Sequence, residues 1–148
     1  MKILMESWRE FLNESVEADG ILKIGLSAGN TTEAEAMQSM LPEEAIRLKG
    51  EDLHVTLVHQ SILKPFQENI KNIDLPIPPP IVLEDDVWDR DSMGKKSWAV
   101  RLKNQDDMRS YVQQVMELLG SQNTNPEPER VFHVSLANLT GNPMDSVR

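Results

Sequence analysis

One five-residue pattern occurs twice in this chain, as Leu53-His54-Val55-Thr56-Leu57 and as Phe132-His133-Val134-Ser135-Leu136, with the histidines 79 positions apart. Apolar residues at every second position follow the period of a β-strand. Each copy therefore predicts a strand with one aliphatic face and one face that carries an imidazole and, two residues on, a hydroxyl. The aliphatic faces must be buried, which leaves the two polar faces to line a surface or a cleft. If the strands lie near each other in one cleft, two imidazoles and two hydroxyls converge on one small anion. A plain solvent face would also accept His-x-Thr, but two matched copies that use two of the three histidines favour a site.

The rest of the chain supplies the elements to build a core behind those strands. Leu4, Trp8, Phe11 and Leu12 recur at helical spacing and predict an amphipathic helix over 1–18, with Trp8 in the core and Asp19-Gly20 as its stop. Ile21 to Leu26 reads as a short buried strand. Asn30-Thr31-Thr32 offers an N-cap for a helix through Met40 that Pro42 closes. Lys64 to Ile73 is a loop or short helix, and Pro76-Ile77-Pro78-Pro79-Pro80 is locked in extended backbone. Ile81–Trp88 and Ser97–Leu102 form a hairpin joined by Asp89 to Lys96. Met108, Tyr111, Val112, Val115, Met116 and Leu119 form one stripe of a helix capped by Asn104 and ended by Gly120. Ser121 to Arg130 is a loop and Val131 to Ala137 a last strand. Residues 141–148 are a short polar tail, either disordered or folded over the cleft. The order is that of an α+β protein in a single domain over 1–148.

Charge and composition remove several function classes. Fifteen basic against 24 acidic residues give a net charge of -9, the wrong sign for holding long nucleic acid through many phosphates. A small phosphate ester in a local pocket is compatible with that balance, because screening confines distant charge to ~8 Å. No cysteine is present, so disulfides and thiolate chemistry are excluded. Glu84, Asp85, Asp86, Asp89 and Asp91 lack the spacing of a calcium loop and read as a solvated edge. No apolar run is long enough to span a bilayer, and the charged first 15 residues do not form a signal peptide, so a cytoplasmic protein without a membrane partner is expected.

Two imidazoles and two hydroxyls suit phosphodiester cleavage without a metal or other cofactor. Histidine titrates near neutral pH, so one ring can accept the proton of the attacking hydroxyl or water while the other protonates the leaving oxygen. Thr56 and Ser135 would donate hydrogen bonds to the non-bridging oxygens, where negative charge grows in the transition state. His59 has the opposite parity to His54 and closes the strand, which marks it as structural. Trp88 and Trp98 are core candidates that could instead stack on a nucleobase, Trp98 being favoured because it lies within a strand. Lys95 and Lys96 read as a solvated turn, with contact to a second phosphate as the alternative.

Paired H-x-T/S motifs, His54/Thr56 and His133/Ser135, each on a strand of its own half, resemble the two-histidine (2H) phosphoesterase superfamily, which includes RNA ligase-like cyclic phosphodiesterases. The resemblance covers about residues 20–140. It implies a bilobal fold of pseudo-twofold lobes, with antiparallel strands lining a central cleft and helices outside. It also implies that His54, Thr56, His133 and Ser135 are catalytic, serine being an accepted variant in the second motif. The opening 1–12 and the closing Asn138-Leu139-Thr140-Gly141-Asn142-Pro143 are similar to small proteins of tailed phages. Phages encode the anti-CBASS nucleases of this superfamily, similar in size, which degrade the cyclic oligonucleotide messengers of bacterial immunity. That branch implies a small cyclic nucleotide or oligonucleotide substrate, cut at a 3′,5′ linkage by a ribose 2′-hydroxyl or water in the host cytoplasm. The same constellation serves 2′,3′-cyclic phosphodiesterases and enzymes of 2′,5′-linked RNA ends. A cleft that held the nucleotide without cleaving it would make a sequestering protein.

Overall fold

The computed structural model describes residues 16–147. Most of the helix expected over 1–18 therefore lies outside the described residues. Its end is corrected: Val16–Asp19 is a strand, β1, which pairs antiparallel with β2 (Ile21–Gly25) around Gly20. Val16 and Ala18 alternate along β1 and pack against the core, a burial that a strand achieves at this edge of the sheet.

Helix α1 spans Ala28–Gln38 and begins earlier than Asn30. Ser27 is the cap, its Oγ accepting from the Asn30 backbone N–H at 3.2 Å. Asn30 is thereby released to turn inward, where its Nδ2 donates to the Ile81 carbonyl at 3.0 Å. The helix stops at Gln38, before Met40. A two-residue strand with no sequence signal, β3 (Ile46–Arg47), follows, and then β4 (His54–Val58). The stretch after β4 is helical in short pieces: α2 (Gln60–Leu63), a 3-10 turn over Lys64–Phe66, and α3 (Gln67–Ile70).

Strands β5 (Leu83–Ser92) and β6 (Lys95–Leu102) form a longer hairpin than the sequence suggests. Only Met93 and Gly94 connect them, with φ of 52° and 79°. Two successive positive φ values make the type I′ turn whose twist matches the flanking strands, so Asp89 to Ser92 are strand rather than loop. Helix α4 (Gln105–Leu118) and strand β7 (His133–Asn138) complete the core. The tail, from Gly141 to Val147, is held against the sheet. Buried Asn138 accepts from the Gly141 N–H at 2.6 Å and donates to Ser146 Oγ at 3.1 Å, while the Val147 N–H bonds Ser97 Oγ at 2.6 Å.

Among the described residues all pairings are antiparallel, in one seven-stranded sheet ordered β1-β2-β4-β7-β6-β5, with β3 on β7. The order is symmetric about the β4/β7 boundary. Each side reads hairpin, helix, strand: β1-β2-α1-β4 and β5-β6-α4-β7. Each helix packs on the other side's central strand, α1 on β7 and α4 on β4. The core is built on the aliphatic sheet face of Leu22, Ile24, Val55, Leu57, Val100, Val134 and Leu136, closed by Met108, Val112, Val115 and Met116 of α4. Among the described residues no helix is long and apolar enough to cross a membrane.

Candidate active site

The two five-residue motifs meet at the centre of the sheet. β4 and β7 pair through Val55 and Val134, both fully buried on the helix side. Antiparallel register then sets Thr56 across from His133 and His54 across from Ser135, with Cβ atoms of facing residues roughly 5 Å apart. Imidazole and hydroxyl alternate around a square on the face away from the helices. All four side chains line one cavity of about 1480 Å³.

The same device orients both rings. His54 Nδ1 lies 3.1 Å from the Glu51 carbonyl, supplied by the 3-10 turn Gly50–Asp52 just ahead of β4. His133 Nδ1 lies 3.0 Å from the Val131 carbonyl. A carbonyl only accepts, so each Nδ1 carries a hydrogen and each Nε2 is left with its lone pair or, when protonated, an N–H to give. Burial lowers both pKa values below the usual 6.5. At His54 Lys23 adds to that lowering, and the Glu51 hydrogen bond and the Asp52 carboxylate oppose it. At His133 the Val131 hydrogen bond opposes it, while Arg130, Arg90 and Arg101 all add to it.

Register places the neighbours in two rows. Lys23 pairs with Thr56 and Arg101 with His133, so one row across the sheet reads Lys23, Thr56, His133, Arg101. The second reads Gly25, His54, Ser135, Ala99, Trp88. One row is cationic, and the other has small residues beside its histidine and serine. Trp88 stands edge-on to His133, with ring centroids 5.7 Å apart and planes at 70°. The Arg101 guanidinium lies 5.3 Å from the Trp88 ring centroid. Among the described residues Trp88 Nε1 is buried without a hydrogen-bond partner, which costs roughly 1–3 kcal/mol.

Of the two candidate stacking residues, Trp88 lines the cavity and Trp98 does not. Trp98 shares the parity of Val100 and Leu102, is 4% exposed, and sits under Lys96 Nζ at 5.2 Å. Its position within a strand was a poorer guide than its parity. Lys96 also meets Asp89 at 3.6 Å and Glu44 at 3.9 Å and does not itself line the cavity. His59 caps α2, its Nδ1 accepting from the Ser61 N–H, and its side chain reaches the cavity rim. Of the acidic residues of β5, only Asp89 lines the cavity. Among the described residues no group of three or more His, Asp or Glu is placed to hold a metal ion.

Sequence reasoning missed Lys23, Arg90, Arg101 and the tail residue Met144, all of which line the cavity. A signal existed for two of them. Lys23 and Arg101 are single cations with an aliphatic residue on each side, in Leu22-Lys23-Ile24 and Val100-Arg101-Leu102, so they must face opposite to the core. Arg90 was hidden in what reads as a turn, and Met144 is brought in by the hydrogen bonds that Asn138 and Ser97 make to the tail. The chain matches no family model, no curated protein and no solved structure.

Proposed function

We propose that the chain is a 2H-type phosphodiesterase that cleaves a small cyclic nucleotide or cyclic oligonucleotide by histidine acid–base catalysis, with no step requiring a metal ion. One observation carries this reading: the two His-x-Thr/Ser motifs lie side by side on the open face of one sheet, with both Nδ1 atoms tied to backbone carbonyls. The phosphorus would sit over the square, one Nε2 taking the proton of the attacking hydroxyl, the other giving one to the leaving oxygen. Thr56 and Ser135 would donate to the non-bridging oxygens, and Lys23 and Arg101 would offset the negative charge that grows there. The hairpin-helix-strand order of each half supports the bilobal form of the family. The cavity exceeds the ~300–1,000 Å³ of ordinary small-ligand sites and extends from the dyad at the sheet centre toward both flanks, which favours a substrate with a nucleoside on each side of the phosphate.

The test is incubation in excess EDTA with 3′,5′-cyclic dinucleotides, 2′,3′-cyclic mononucleotides and 2′,5′-linked oligoadenylate, products read by mass, beside the His54→Ala/His133→Ala variant. Cleavage of the cyclic dinucleotides that the double variant lacks is the expected result. Cleavage confined to the other two substrates would move the reading to RNA-end processing, and recovery of bound, intact nucleotide would replace catalysis by sequestration.

A further inference from the structure

The symmetry of the strand order is not kept by the charges. Rotation about the Val55–Val134 pair exchanges His54 with His133 and Thr56 with Ser135, and would exchange Lys23 with Ala99 and Arg101 with Gly25. Both strand cations therefore lie in the His133 row, and the His54 row has none. Around His133 stand Arg101 from β6, Arg90 from β5 and Arg130 from the segment before β7, with neutral Thr56 opposite on β4. Arg130 is neutralised by Glu127, Nε to Oε2 at 2.6 Å, whereas Arg90 and Arg101 form no ion pair among the described residues. Around His54 stand the Asp52 carboxylate from the preceding turn and Lys23 from β2, of opposite sign, with neutral Ser135 on β7. A proton is thus resisted by two guanidiniums without ion-pair partners among the described residues at one ring, while at the other a lysine and a carboxylate oppose each other.

Resting on the phosphodiesterase reading above, we propose that the histidines have fixed roles in transesterification, His133 as base and His54 as acid, and that Arg101 is the positioning residue that keeps His133 a base. His133 Nε2 takes the proton as the O–H bond of the attacking hydroxyl breaks and its oxygen bonds to phosphorus. The bond from phosphorus to the leaving oxygen breaks, its electron pair stays with that oxygen, and the proton of His54 Nε2 neutralises it. The step ends with His133 protonated and His54 neutral, so exchange with solvent or a reverse-role hydrolysis resets the pair. Trp88, edge-on to His133 and close to Arg101, holds the two at fixed spacing.

The roles separate with a 3′,5′-linked dinucleotide in which sulfur replaces the 5′-bridging oxygen, since a thiolate departs without a proton. His54→Ala should lose ~10²–10⁴-fold on the oxygen substrate and recover most of that on the sulfur substrate, while His133→Ala should stay slow on both. Rescue of His133→Ala instead, of both variants, or of neither overturns the assignment. Wild-type inactivity on the oxygen substrate would strike the underlying reading instead. Thermal melting of each variant checks that it is folded. Arg101→Gln should move the acid limb of the kcat/KM profile to higher pH and Arg101→Lys should restore it; a limb unmoved in Arg101→Gln denies Arg101 its part.

Discussion

At the scale of single residues, the two imidazoles are held and partly buried in the same way. Lowered pKa values mean that the native state binds fewer protons than the unfolded chain between pH 6.5 and the lower native values. Their stabilising contribution is therefore complete above 6.5 and is lost as pH falls below it. The expected outcome is that wild type loses more thermal stability between pH 7.5 and 5.5 than the His54→Asn/His133→Asn variant, measured by melting at each pH. Equal losses would contradict the burial argument. The hydroxyls have a separate test. Thr56→Ala and Ser135→Ala should each lower kcat by about 10²-fold, as removal of a transition-state hydrogen-bond donor does, with little change in KM.

At the scale of elements, the site depends on what holds β7 beside β4, since only Val55 and Val134 pair directly across that boundary. Gln38 at the end of α1 is one such clamp. It is 4% exposed, and its Nε2 donates to the Leu136 carbonyl at 2.8 Å and the Leu48 carbonyl at 2.7 Å. Gln38→Leu leaves both carbonyls buried without that donor, and should cost about 2 kcal/mol and lower Tm by roughly 6 °C. Activity per folded molecule should fall as well, because β7 carries His133 and Ser135. Tyr111 instead ties α4 to the proline segment, its hydroxyl donating to the Pro76 carbonyl at 2.7 Å while burial pushes its pKa up to about 12. Tyr111→Phe should cost about 1 kcal/mol, read in the same melts, and leave cleavage intact. Elements with strong periodicity, such as α4 and β4, could be read from their own residues. β1, β3 and the tail could not, because their conformation is decided by partners distant in the chain: β3 by the end of β7, the tail by Asn138 and Ser97.

At the scale of the molecule, the acidic surface and the local cationic row act together. A chain of net charge -9 repels a long polyanion, while Lys23, Arg90 and Arg101 in the cavity attract a short one. Long single-stranded RNA should therefore fail to inhibit cleavage of a cyclic dinucleotide at concentrations where a short competitor does, in a direct competition assay. The four motif residues and their shared face were legible in the alternation of two short segments. Their meeting was not, because strand order is a property of the whole sheet. The cations were readable only once parity was applied to every strand, and Trp98 shows what is lost when it is not.

The measurement that bears most directly on paired-imidazole cleavage is kcat/KM against pH for the wild type, His54→Ala and His133→Ala, in excess EDTA. A base must be neutral and an acid protonated, so the wild-type rate should rise through one pKa and fall through the other. Both pKa values are lowered, which puts the maximum on the acid side of 6.5. Each single variant should lose ~10²–10⁴-fold at that maximum. A flat profile, or wild-type rates in either variant, would contradict the account.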